Sequence, residues 1–214
     1  FTGNMVQSNA ISNAFREALG VPTWIVGVIL AVVAAFIFLG GVTRIASVTE
    51  KLVPVMAAFY LIGGLVMLIA NITNLPHAFA LIFEGAFNPQ AILGGAAGIG
   101  VREAMRYGVA RGLFSNEAGM GSTPHAHAMA KVEKPQDQGI VAMICVFIDT
   151  FVVLTMTALV MLTSGALNVA DMSANPAAEN MAQVAFTTVF GSFGNIYVAI
   201  CLLFFAFSTV IGWY

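Results

Sequence analysis

"RGLFSNEAGMGS" occupies residues 111–122. It gathers an arginine, a glutamate, an asparagine, two serines and three glycines in a chain of 214 residues that is 59% hydrophobic and only 8% charged. Soluble chains carry about 25% charged residues, so this composition cannot coat a water-facing surface. The mean hydropathy, +0.92, agrees. The class is an all-α integral membrane protein. Hydrocarbon satisfies no backbone N–H or C=O, so a glycine-rich polar stretch has two places to be. It is either an aqueous loop between helices, or a break in a spanning helix, buried in protein or lining a cavity. The residues alone leave both readings open.

A spanning helix needs about 20 mostly apolar residues. "PTWIVGVILAVVAAFIFLGG" (22–41) and "LVPVMAAFYLIGGLVMLIANI" (52–72) meet that length without an acid. "GIVAMICVFIDTFVVLTMTALVML" (139–162) meets it with one acid, Asp149. The last span covers 192–214, its apolar run "NIYVAICLLFFAFSTVIGWY" starting at 195. Residues 92–130 are too long for one span and too rich in glycine for a continuous one, so they read as a lead-in helix and a broken span. "LPHAFALIFEGAF" (75–87) is amphipathic and reads as interfacial, and "FTGNMVQSNAISNAF" as the end of an earlier helix. The sum is one membrane domain over 1–214, with about five spans plus that helix end. A start without methionine and a finish inside an apolar run give the expectation of an internal fragment.

The net charge of −2 leaves no basic footprint for nucleic acid. Cys145 and Cys201 lie in apolar runs and suggest no disulfide framework. Arg44 and Lys51 flank one connection and Lys131 and Lys134 another, while 73–91 and 163–186 hold neither residue type. Basic loops alternate with non-basic ones, which places the basic ones in the cytoplasm. Arg102 and Arg106 fit that pattern less well. Gly94/Gly98 and Gly108/Gly112 are small-residue pairs suited to helix packing or to a hinge. His125 and His127, two apart, point to different helix faces, which argues against zinc. No catalytic constellation appears at a recognisable spacing, so the chain does not read as an enzyme.

A broken span has chemistry of its own. Its half-helix ends present amides, carbonyls and oriented dipoles, which secondary transporters use to hold a substrate's charged groups and a coupling ion. Ser115, Asn116 and Ser122 add neutral oxygens and amide donors suited to a small zwitterion. Glu117 has three readings: pairing with Arg111, binding an ion, or bracing the break by accepting backbone N–H bonds. Asp149, with Thr150 beside it, is an intramembrane acid and a candidate for an ion or gating role. It equally suits a hydrogen bond to a neighbouring helix. Ser208 and Thr209 either bond back to their own helix or offer oxygens to a hard monovalent cation such as Na⁺.

"RGLFSNEAGMGSTPHAHA", "GGVTRIASVTEKLVPVMAAFYLIGGLVMLIANI", "CVFIDT", "FSTVIGW" and "GNMVQSNAIS" together resemble the alanine or glycine:cation symporters. The resemblance runs along essentially the whole chain. It implies a LeuT-like fold of two inverted five-helix repeats, of which this is the central part, from the end of the third helix to the eighth. It implies sodium-coupled symport of alanine and glycine by alternating access in the plasma or inner membrane, with Na⁺ as coupling ion and no cofactor. The carry-over places Phe114, Ser115, Asn116, Ala118 and Gly119 against the amino acid at the sixth-helix break, with Asn4 and Gln7 facing it from the third. Ser208 and Thr209 fall where such carriers ligate sodium. The first helix, which supplies much of both sites, has no counterpart here. A channel-type or non-transporting membrane protein, with the break as a structural element, is the alternative.

Overall fold

A computed structural model describes residues 2–87, 97–117, 119, 121–166 and 180–213, with backbone alone at 2, 85–86, 97–104 and 122. The described residues form an all-helical chain: α1 (Thr2–Leu19), α2 (Thr23–Phe38), α3 (Gly41–Ala70), a 3-10 turn (Ile72–Asn74), α4 (Leu75–Phe87), α5 (Ala97–Ser115), α6 (Ser122–His127), α7 (Pro135–Thr163), α8 (Met181–Phe190) and α9 (Ser192–Gly212). Three of these, α3, α7 and α9, are long and apolar enough to cross a membrane. The chain divides into two compact units, Thr73–Leu159 and the remainder.

Several bounds differ from the sequence expectation, each for a local reason. α2 stops at Phe38, three residues early, because Gly41 takes a left-handed φ of +70° that glycine adopts without a Cβ penalty. Arg44 completes that end. Its Nη1 donates to the Phe36 carbonyl at 3.1 Å, and its guanidinium lies 4.2 Å from the Phe36 ring centroid. α3 then runs straight through the stretch read as a basic loop, starting at Gly41 rather than 52. The Thr49 hydroxyl satisfies itself on the Ile45 carbonyl at 2.9 Å, and long cationic side chains reach out from a helix without breaking it. The 163–186 connection contains the start of α8, an apolar helix of 10 residues. A β-carbon at Gly108 or Gly112 would meet nothing within 4 Å, so that pair makes no close approach among the described residues. Gly94 lies outside them.

In the first unit, α1 and α9 pack antiparallel. Gly3 lies against the Trp213 ring, while Ile11 shares a core with Ala206 and Val26. Further along, Gln183 of α8 donates to the Ala14 carbonyl at 3.3 Å and, more weakly, to that of Asn195 at 3.5 Å. One amide on α8, 2% exposed, therefore reaches two other helices. Tyr197 ties α9 to α3: its hydroxyl donates to the Phe59 carbonyl and its phenol fills the space above Gly63. Its ring stacks with Phe186 at 5.4 Å and Phe190 at 5.8 Å between centroids. Gly191, at φ +57°, turns the chain from α8 into α9, and Gly194 lets the two helices meet backbone to backbone.

Candidate functional site

The second unit contains the polar segment, where the winding of α5 stops and that of α6 starts. α5 ends at Ser115 with the Asn116 amide still on the Gly112 carbonyl (3.2 Å), and then tightens as the Glu117 N–H turns to Phe114 (3.2 Å). Asn116 also caps with its side chain, Nδ2 donating to the Gly112 carbonyl at 3.2 Å. Glu117, Gly119 and Gly121 then take left-handed φ values of +51°, +76° and +83°. Two of them are glycines, for which this costs little. Glu117 is the one non-glycine described residue with positive φ, a conformation that costs about 1–2 kcal/mol for an L-residue. A strong contact offsets it: Thr123 Oγ1 donates to Glu117 Oε2 at 2.6 Å, across the break. Of the three sequence readings of Glu117, the bracing one is the reading this Thr123 contact suits.

α6 restarts the helix at Ser122, with the His125 ring donating from Nδ1 to the Gly121 carbonyl at 2.7 Å. The Gln138 amide on α7 donates to His127 Nδ1 at 2.6 Å. Both histidines thus have structural partners, and no group of three His, Cys, Asp or Glu among the described residues is arranged to hold a metal.

Asp149 and Thr150 reach the break from α7. Residues Ile148–Leu154 of that helix are wound as a π-helix. Ser115 Oγ donates to Asp149 Oδ2 at 2.8 Å, and Thr150 Oγ1 donates to Asn116 Oδ1 at 3.0 Å. Among the described residues, then, four sequence candidates form two parallel cross-links. Phe114 is half-buried on the last turn of α5, Gly119 is exposed within the break, and Ala118 lies outside the described residues. The composition of the stretch signalled the break. The brace from Thr123 and the π-turn were not anticipated, the latter having no sequence signature.

The remaining candidates belong to the first unit. Ser208 and Thr209 both donate to the Phe205 carbonyl, at 2.8 and 3.1 Å. Donation engages each hydroxyl proton and not the oxygen lone pairs, so the back-bonding and cation readings coexist. Asn4 and Gln7 are half-buried on α1, and Asn4 Oδ1 is a buried acceptor without a hydrogen-bond partner.

Hydroxyl, amide and carboxylate groups thus bond one another around the break, in a chain with three membrane-length helices among the described residues. The model of the sodium:alanine symporter family matches residues 1–214. The chain belongs to the sodium:alanine symporter family. That places it among membrane transporters and not among enzymes. It is similar to the sodium/alanine symporter AgcS of Methanococcus maripaludis, at 42% identity over 99% of this chain and 45% of that protein. It is also similar to a sodium/proton-dependent alanine carrier of Bacillus sp. strain PS3, at 37% identity over 98% of this chain and 48% of the carrier. An uncharacterized transporter of Haemophilus influenzae is 42% identical over 99% of this chain and 46% of its own length. The chain thus spans less than half the length of these relatives.

Proposed function

We propose that this chain is the central part of a sodium-coupled symporter for small neutral amino acids, alanine and glycine, working by alternating access in the plasma or inner membrane. The observation that carries the reading is the break at residues 116–121, pinned by polar cross-links within a chain of the sodium:alanine symporter family. A multi-pass LeuT-like arrangement of inverted repeats accounts for it, because irregular backbone at membrane depth belongs beside a substrate cavity.

In this account Phe114, Ser115, Asn116, Ala118 and Gly119 contact the amino acid, and Asn4 and Gln7 are the candidates from the third helix. Ser208 and Thr209 give oxygens to Na⁺. Asp149, Thr150 and Glu117 govern the ion or the gate. Na⁺ bound in the outward-facing state stabilises the form that binds the amino acid, and by linkage the amino acid raises affinity for Na⁺ equally.

The test is labelled alanine uptake into proteoliposomes containing the full-length carrier. Saturable uptake that needs an inward Na⁺ gradient and is competed by glycine supports the reading. Non-saturable flux would favour a channel, and no flux a structural role for the break.

A further inference from the structure

Asp149 and Thr150 are consecutive residues, and so are their partners Ser115 and Asn116. Each link joins positions 34 apart, so the two pairs run in register: 115 to 149, 116 to 150. Consecutive residues on a regular α-helix, at 3.6 per turn, diverge by about 100°, and i, i+1 neighbours do not share a face. The π-winding of Ile148–Leu154 eases this. A wider turn reduces the angle between neighbours, and the segment begins one residue before Asp149. Its register also shows in the Thr155 hydroxyl, which reaches the Thr150 carbonyl five residues back at 3.4 Å. π-turns are rare and recur at functional sites.

The links fall on the residues that decide the shape of the break. Asn116 is held on both sides of its amide, by Gly112 through Nδ2 and by Thr150 through Oδ1. The next residue, Glu117, carries the left-handed φ. The donors and acceptors are ordered: Ser115 gives its proton to Asp149, and Asn116 receives one from Thr150.

We propose that Asp149 and Thr150 are positioning residues that act through Ser115 and Asn116: the π-turn of α7 is a two-point clamp that sets the conformation of the broken span and so its affinity for the amino acid. This rests on the symport reading above, because the affinity it sets is that for the transported zwitterion. Neither residue needs to touch substrate.

The test uses the full-length carrier with two matched pairs of variants. T150V removes the hydroxyl at nearly constant volume and T150S restores it. D149L removes the acceptor for Ser115, whereas D149N keeps a carbonyl oxygen there. Hydrogen exchange of the 112–121 segment in the purified protein reads the clamp without any transport. A lost hydrogen bond of ordinary strength speeds exchange about 3- to 10-fold, expected in T150V and D149L and not in T150S or D149N. In proteoliposomes the same two variants should raise the KM for alanine about 3- to 10-fold, and T150S and D149N should not. Exchange and KM at wild-type values in both T150V and D149L would overturn the clamp. So would T150S behaving as T150V does. If the parent carries no alanine at all, the symport reading fails, and the exchange pattern alone decides whether the clamp exists.

Discussion

Ser115 and Asp149 meet across 34 residues of chain through a 2.8 Å hydrogen bond from hydroxyl to carboxylate. The bond gives an acid inside an apolar helix a donor, which such a group needs at membrane depth. It also ties the last helical residue before the break to the π-turn. With Thr150 on Asn116 beside it, the polar residues of two helices satisfy one another. Ser115, Asn116 and Glu117 at the break thus each have a side-chain hydrogen-bond partner.

The Thr123–Glu117 contact gives the first prediction. A hydrogen bond to a charged group contributes about 1.5–3 kcal/mol, and here it holds a left-handed glutamate in place. Thr123→Val should lower the thermal midpoint of the purified carrier. Glu117→Gly relieves the backbone strain while losing the same contact, so it should be less harmful than Glu117→Ala. Equal midpoints for Glu117→Gly and Glu117→Ala would show that the left-handed backbone carries no cost.

Gly63 and Tyr197 give a second. A β-carbon at Gly63 would collide with the phenol that bonds the Phe59 carbonyl. Tyr197→Phe loses one hydrogen bond, about 0.5–1.5 kcal/mol. Gly63→Ala must displace the ring and should cost more, about 1–3 kcal/mol as overpacking does. Replacing Tyr197 with Leu in the Gly63→Ala background should recover part of that loss, measured by detergent-solubilised thermal stability. Strict additivity of the two changes would contradict the contact.

Gln183 provides a third, because its amide is 2% exposed and its two donors face carbonyls. Gln183→Glu turns donors into a carboxylate facing other acceptors, and an uncompensated buried charge costs about 3–5 kcal/mol. The expected outcome is a carrier that fails to accumulate folded, while Gln183→Met is recovered. Normal yield and stability of Gln183→Glu would mean that water reaches the site.

A fourth concerns sodium. The hydroxyls of Ser208 and Thr209 give their protons to Phe205 and keep lone pairs for a cation. Thr209→Val removes that oxygen and should raise the Na⁺ concentration for half-maximal alanine uptake about tenfold, the equivalent of about 1.4 kcal/mol. Thr209→Ser should stay near the parent. A Thr209→Val carrier with unchanged Na⁺ dependence would remove this residue from the ion site.

The apolar runs announced α2, α3, α7 and α9, since length and composition carry that signal directly. They did not announce where α3 begins. The residues from Gly41 to Lys51 are polar enough to pass for a loop, and their helicity depends on contacts such as that of Arg44 with Phe36. The glycines at 119 and 121 marked an end to α5, within which Gly112 lies, but composition left a loop and a broken span both open. Its cross-links were only half legible. Asp149 stood out as an acid in an apolar run with Thr150 beside it, but their partners Ser115 and Asn116 lie 34 residues earlier, and the π-winding leaves no periodicity in sequence. Gln183 passed unremarked because part of its burial comes from α1, 169 residues away in the chain.

The most direct test of the account is labelled alanine uptake by the full-length carrier in proteoliposomes, with an inward Na⁺ gradient and with Na⁺ replaced by K⁺. The account predicts saturable uptake with Na⁺, competition by glycine, and loss of apparent affinity in Asn116→Ala. Equal uptake under both cations, or an Asn116→Ala carrier with the parent's affinity and rate, would contradict it.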